Sequence, residues 1–110
     1  MTTLTKHQVI NQFKNKFSEI MNIPTIKNVS LFHEEDIADI IKLGYKIETS
    51  HNVYYISLRY MKLSEQLLLP FTPIWSFKQM NNNGSFPKGY DSLEECLSEL
   101  KEIEYESKIS

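Results

Sequence analysis

Cys96 is the single cysteine in 110 residues. That excludes an internal disulfide and any zinc site built from several thiolates. Gly44, Gly84 and Gly89 are the three glycines, too few and too scattered for a phosphate-cradling loop. Arginine is scarcer still, with Arg59 alone against eleven lysines. No apolar run approaches the roughly 18 residues that span a bilayer as a helix. The stretch from Met1 to Gln8 has no apolar h-region, so no secretory signal is expected. His7, His33 and His51 lie in three separate segments without HxxxH spacing, so neither a metal nor another cofactor is expected. No GxSxG and no paired cysteine occurs, and no histidine sits beside a plausible nucleophile. An enzyme is therefore not expected, and a reduced, cytoplasmic setting is.

What is present is an ordinary globular mixture, with 41% apolar and 24% charged residues. One domain over residues 1–110 is the natural reading of that length. Eight asparagines and twelve isoleucines, beside the lysine excess, suggest an AT-rich bacterial, phage or plasmid genome.

Periodicity supplies the expected elements. Val9, Ile10, Phe13, Phe17, Ile20 and Met21 fall at helical spacing, and Thr5 with Gln8 reads as a capping box. Asn22-Ile23-Pro24 ends that helix. Residues 25–32 fit a short strand or a packed linker. Glu34, Glu35 and Asp36, followed by Ile37, Ile40 and Ile41 and then Gly44, read as a second helix over residues 33–43. The period then changes to two. Tyr45, Ile47 and Thr49 alternate with Lys46 and Glu48, and Thr49 to Asn52 is turn chemistry. Residues 53–62 form a long strand rich in β-branched and aromatic residues. Residues 74–80 form a third strand, followed by a turn at Asn81-Asn82-Asn83-Gly84. Ser92 with Glu95 caps a last helix over 93–105, whose buried stripe is Leu93, Cys96, Leu97, Leu100 and Ile103, with the chain after it fraying. Cys96 on that stripe is a small packed hydrophobe.

The expected fold is therefore α+β: a three-stranded antiparallel sheet with helices packed on one face, in the order α-α-β-β-β-α. The sheet's other face would remain open.

Charge is unevenly spread. Residues 91–110 carry seven acids and two lysines, whereas 45–90 carry five bases and two acids together with nine of the thirteen aromatics. The open face thus reads as basic and aromatic, and the last helix as an acidic stripe of Glu95, Glu99, Glu102 and Glu106. Residues 63–73 are too apolar for an ordinary loop, and either cap the core or meet a partner. The sequence from Trp75-Ser76-Phe77 to Gly89-Tyr90-Asp91-Ser92-Leu93-Glu94-Glu95-Cys96-Leu97 is similar to three-strand-plus-helix DNA-binding modules of phage integrases and plant AP2 domains. Those modules carry many arginines on the sheet, and here Arg59 stands alone.

These features favour a small non-catalytic protein-binding module, an inhibitor or immunity-type protein that masks a partner protein's surface. The candidate contact residues are Tyr55, Arg59, Leu68, Phe71, Trp75, Lys78, Glu95, Glu99 and Glu102. The alternative is a nucleic-acid-binding module using Tyr55, Arg59, Trp75 and Lys78 for stacking and phosphate contact. A homodimer through Leu67, Leu68, Leu69 and Phe71 is a third expectation.

Overall fold

Thr5 caps the first helix as its sequence requires. Its hydroxyl accepts from the Gln8 amide at 3.1 Å, and the Gln8 side chain accepts from the Thr5 amide at 3.0 Å. In the computed structural model, which describes residues 3–80 and 87–109, this helix α1 spans Lys6–Lys14. A short helix α2 follows at Phe17–Met21, so the expected single helix is broken near Asn15 and Lys16. Ahead of α1 lies a two-residue strand, β1, at Leu4–Thr5.

The remainder is dominated by strands: β2 (Ile26–Glu35), β3 (Ile40–Thr49), β4 (Val53–Lys62), β5 (Leu67–Pro70), β6 (Trp75–Gln79) and β7 (Lys88–Tyr90). Helix α3, Leu93–Ile109, closes the order. All seven strands join one sheet, in the order β1-β5-β4-β3-β2, with β6 also on β4 and β7 on β6; every pairing is antiparallel. The expected three-stranded sheet in the order α-α-β-β-β-α is thus corrected to a mostly β architecture. A three-strand-plus-helix module does not describe it.

The largest correction concerns residues 33–43, which form no helix. They complete β2, turn at 36–39, and begin β3. The register explains why the strand wins. Ile41, Leu43, Tyr45 and Ile47 alternate onto one face, opposite Tyr60, Leu58, Ile56 and Tyr54. A helix would split that apolar set, whereas a strand buries all of it. The acids gathered there answer lysines across the strands: Glu34 to Lys42 at 3.5 Å, and Glu35 to Lys62 at 3.6 Å. Gly44 is no helix terminator either. It lies mid-strand, where a β-carbon would come within 2.6 Å of the Ser57 Cα and would strike the Ile56 carbonyl. The turn itself uses Ala38 at φ 57°, a left-handed conformation unusual for a residue with a β-carbon.

The segment 63–73 is also more ordered than a loop. Leu68 and Leu69 pair with Lys62 and Met61. After Pro70 the chain bulges out and returns to β4 as β6, with Ser76 opposite Ser57. β5 and β6 therefore act as one interrupted strand along a single edge of β4. Pro70 and Pro73 sit at the interruption, where no ladder amide is needed. The turn expected at 81–84 lies outside the described residues.

The core lies between one face of this sheet and the helices. Val9, Phe13 and Ile20 from the first helices, and Leu93, Cys96 and Leu100 from α3, meet Leu43, Tyr45, Ile47, Tyr54, Ile56 and Phe77. Phe13 stands edge-on to Tyr45 and Trp75, at 5.3 and 6.1 Å between ring centres. The Tyr45 hydroxyl donates to the Phe13 carbonyl at 2.8 Å. No described helix is long and apolar enough to cross a membrane.

Candidate recognition surface

The strands that bury one face leave the other without a helical layer. Side-chain alternation puts Ile40, Lys42, Gly44 and Lys46 of β3 on this outer face, beside Met61, Arg59, Ser57 and Tyr55 of β4. Cross-strand register continues the rows. Ser30, Lys46, Tyr55 and Lys78 form one row, and Phe32, Gly44, Ser57, Ser76 and Gly89 the next. A third holds Glu34, Lys42 and Arg59, and a fourth Ile40, Met61 and Leu69.

The middle row is made of small residues apart from Phe32, so it forms a trough between two rows of cations. A depression of about 280 Å³ opens over it, walled by Phe32, Tyr55, Lys42 and Lys78. A second, of about 250 Å³, adjoins it through Ser76 and holds Arg59 and Lys88. Phe32 and Tyr55 pack on each other across Gly44, with ring centres 4.9 Å apart. Lys42 is engaged by Glu34 and, at 4.0 Å, by Asp36, and Lys46 by Glu48 at 3.7 Å. Among the described residues Arg59 and Lys78 have no ion-pair partner.

One end of the same face is apolar. Ile40, Met61 and Leu69 share a row, Leu67 follows on the same side of β5, and Phe71 hydrogen-bonds the Arg59 carbonyl through its amide at 3.1 Å. Ile37, Leu63, Leu67 and Phe71 are all exposed. The turn carrying Ile37 is tied to this end, because the Lys62 amide donates to the Asp39 carbonyl.

The structure therefore gathers Tyr55, Arg59, Lys78 and Phe71 on one surface and separates the other candidates from them. Leu68 is fully buried between β1 and β4. Trp75 faces the helices, half-buried against Phe13 and paired across from Tyr90. Glu95, Glu99 and Glu102 lie on α3, on the opposite side of the sheet, around an open depression with Tyr90. Glu95 accepts from the Asp91 amide at 3.0 Å, and Glu99 pairs with Lys88 at 3.8 Å. Lys88, at the β7 edge, links the two sides, since it pairs with Glu99 and lines the depression that holds Arg59. On the helix side, a cleft of about 310 Å³ opens between α1 and the start of α3, floored by Phe13, Tyr45, Leu58 and Trp75.

Burial raises the pKa of several groups and so holds them neutral. The Cys96 thiol is pushed up to about 12, by burial first and then by Glu95. Tyr54 is raised by burial and then by its bond to Glu104, and Tyr45 mainly by burial. A thiol held neutral in this way is a poor nucleophile. Among the described residues no group of three or more His, Cys, Asp or Glu side chains is arranged to hold a metal ion.

Two features lie outside the expected site residues. Lys42 and Ile40 join the outer face only because β3 begins at residue 40. Glu104 stands four residues after Leu100 on the buried stripe of α3, a position that would have revealed it. It is 1% exposed, and it accepts from the Tyr54 hydroxyl at 2.6 Å and the Asn52 amide group at 2.7 Å.

A family model described as a family of unknown function, DUF5634, matches residues 3–100. No curated protein matches the chain.

Proposed function

We propose, for a chain that belongs to the DUF5634 family, a non-catalytic role: binding an acidic, partly apolar surface of another protein through the outer face of the sheet and masking it. The observation that carries this reading is the apolar row Ile40–Met61–Leu69, with exposed Leu67 and Phe71, set directly beside the row of Lys42 and Arg59. An apolar centre with cations at its border is the anatomy of a protein–protein interface. Arg59 and Lys78, unpaired among the described residues, favour a partner of negative charge and speed its approach. Nucleic acid is the weaker fit, because Trp75 faces the core and Phe32 and Tyr55 pack on each other at a tilt rather than standing free for bases.

The test is site-specific photo-crosslinking in a lysate of the organism that makes the protein. A crosslinker in place of Lys78 reports the outer face, and one in place of Lys101, exposed on α3, reports the other side. The expected result is one protein adduct from position 78, absent from position 101 and insensitive to nuclease. It disappears in an Arg59→Glu, Phe71→Ser double variant that still folds. An adduct with nucleic acid, an adduct with a second copy of this chain, or equal adducts from both positions overturns the reading.

A further inference from the structure

The cleft between α1 and the start of α3 lies on the helix side of the sheet, away from the outer face. Its volume of about 310 Å³ is at the lower end for small-molecule sites, which run from about 300 to 1,000 Å³. Its two tyrosines differ. The Tyr45 hydroxyl donates to the Phe13 carbonyl, so its bond is made inside the core. Tyr60 is only 6% exposed, and its hydroxyl has no hydrogen-bond partner among the described residues. It is not sealed in, however. Thr25 Oγ1 is the one fully enclosed side-chain oxygen or nitrogen without a partner among the described residues, so the Tyr60 hydroxyl keeps an opening, and Tyr60 lines this cleft. A polar group largely withdrawn from water needs a partner. The wall beside it is open and apolar, since Leu58 and Trp75 are half-buried. The far rim is acidic. Asp91 and Glu94 are exposed there without an ion-pair partner among the described residues, whereas the rim lysine, Lys16, is held by Glu19 at 3.2 Å. Register fixes the sequence of these groups. Ser57 pairs with Ser76 and Trp75 with Tyr90, so Tyr60, Leu58, Trp75 and Asp91 succeed one another along the cleft.

We infer that this cleft binds an arylalkylamine carrying a hydroxyl opposite its ammonium: the ammonium toward Asp91 and Glu94, the ring against Leu58 and Trp75, and the hydroxyl toward Tyr60. An ammonium has donors and no acceptor, which suits carboxylates that nothing else engages. A cation is also drawn to the electron-rich surface of an indole ring. Burial raises the Tyr60 pKa, so its hydroxyl stays protonated and can both donate to and accept from a second hydroxyl. The start of α3 by itself favours an anion. That field is already answered by Asp91, Glu94 and Glu95, and the Ser92 hydroxyl accepts from the Glu95 amide at 3.2 Å. The floor is rigid before any ligand arrives. Phe13 stands edge-on behind Trp75 at 6.1 Å and is tied to Tyr45 through its carbonyl. A preformed wall of this kind adds little ordering cost on binding.

Trp75 is the chain's single tryptophan, so its emission reports occupancy of the cleft. The experiment titrates the full chain with tyramine, phenethylamine and 3-(4-hydroxyphenyl)propionate, exciting the indole alone. The expected order of affinity is tyramine, then phenethylamine, then the carboxylate. An Asp91→Asn, Glu94→Gln double variant changes only exposed side chains, and is expected to weaken tyramine about tenfold or more through loss of charge-assisted hydrogen bonds. Tyr60→Phe is expected to bring tyramine and phenethylamine to the same affinity. No saturable change in emission with tyramine overturns the proposal, as does a carboxylate that binds as tightly as the amines. Unchanged tyramine affinity in the double variant overturns it too. A preference for tyramine over phenethylamine that survives Tyr60→Phe does the same.

Discussion

The two faces of the sheet are made by the same strands, yet they are under different constraints. Along β4, Tyr54, Ile56 and Tyr60 are buried, while Tyr55, Arg59 and Met61 keep some access to solvent. Along β3 the contrast repeats, with Ile41, Leu43, Tyr45 and Ile47 buried and Ile40, Lys42 and Lys46 half-buried. The inner face has to fill space against helices. The outer face has to remain soluble while presenting cations, hydroxyls and a patch of apolar side chains. Stability is therefore expected to concentrate on one face and recognition on the other, a division that substitutions can break or sharpen.

The largest effect is expected at a residue that violates the division. Gly44 faces outward but sits so close to the β4 backbone that a side chain there collides with the Ile56 carbonyl. Gly44→Val should cost about 4 kcal/mol or more, because two paired strands must part and neither neighbour is a flexible side-chain tip. Chemical denaturation reads this directly. A folded variant within about 1 kcal/mol of the native chain would show that β3 and β4 are not in this register. Next comes Leu43→Ala on the inner face. It removes a fully buried side chain, and a loss of about 3 kcal/mol is expected by the same measurement.

Alkaline pH tests the inner face without a substitution. Cys96 is raised from its ordinary value near 9 to about 12 in the folded chain, and Tyr45 and Tyr54 are raised in the same direction. Each folded value lies above the unfolded one, so the unfolded chain gives up its proton first. The contribution of Cys96 is complete below about pH 9 and is lost as the pH climbs through 12. Unfolding midpoints should be level around neutrality and fall steadily above pH 9. Cys96→Ala should reduce the slope of that fall. The Tyr54→Phe variant is expected to lose about 1–2 kcal/mol, since it strips one of two donors from a buried carboxylate. An unchanged stability would leave the Tyr54–Glu104 bond with no part in fastening α3 to the sheet.

Much of the inner face was legible in the sequence, and the reason is local. The alternation in 45–49 and 53–62, the turn at 49–52, the capping box at Thr5 and the stripe of α3 each depend on neighbours within a few residues. Residues 33–43 misled because Ile37, Ile40 and Ile41 satisfy helical spacing as well as the start of a strand, and three consecutive acids imitate a helix N-terminus. Tertiary pairing decided between them: Ile41 and Leu43 find Tyr60 and Leu58, and the acids find Lys42 and Lys62. β7 is three residues long and pairs only with β6, so no periodicity could announce it. The outer face was legible in part. Tyr55, Arg59 and Lys78 belong together because each parity within its strand was correct. Trp75 lies on the other face because it stands three residues before Lys78 in β6, an odd separation that alternation sends to opposite sides, so grouping the two on one surface went against the strand's own period.

The smallest effect on stability is the one that bears most on function. Arg59 is exposed, and it has no ion-pair partner among the described residues, so Arg59→Ala removes no buried contact or matched charge. Lys78 is likewise exposed. Each substitution is expected to change stability by no more than about 0.5 kcal/mol. If partner binding resides on this face, the same changes should slow association and reduce its dependence on salt, because surface cations act chiefly on the encounter rate. A stability loss above about 1 kcal/mol would mean that these cations hold the sheet together, and the division between the faces would fail there. Normal stability with association kinetics unchanged at low salt would leave the division intact but move recognition elsewhere. The aromatic-floored cleft between α1 and α3 would then be the next surface to test.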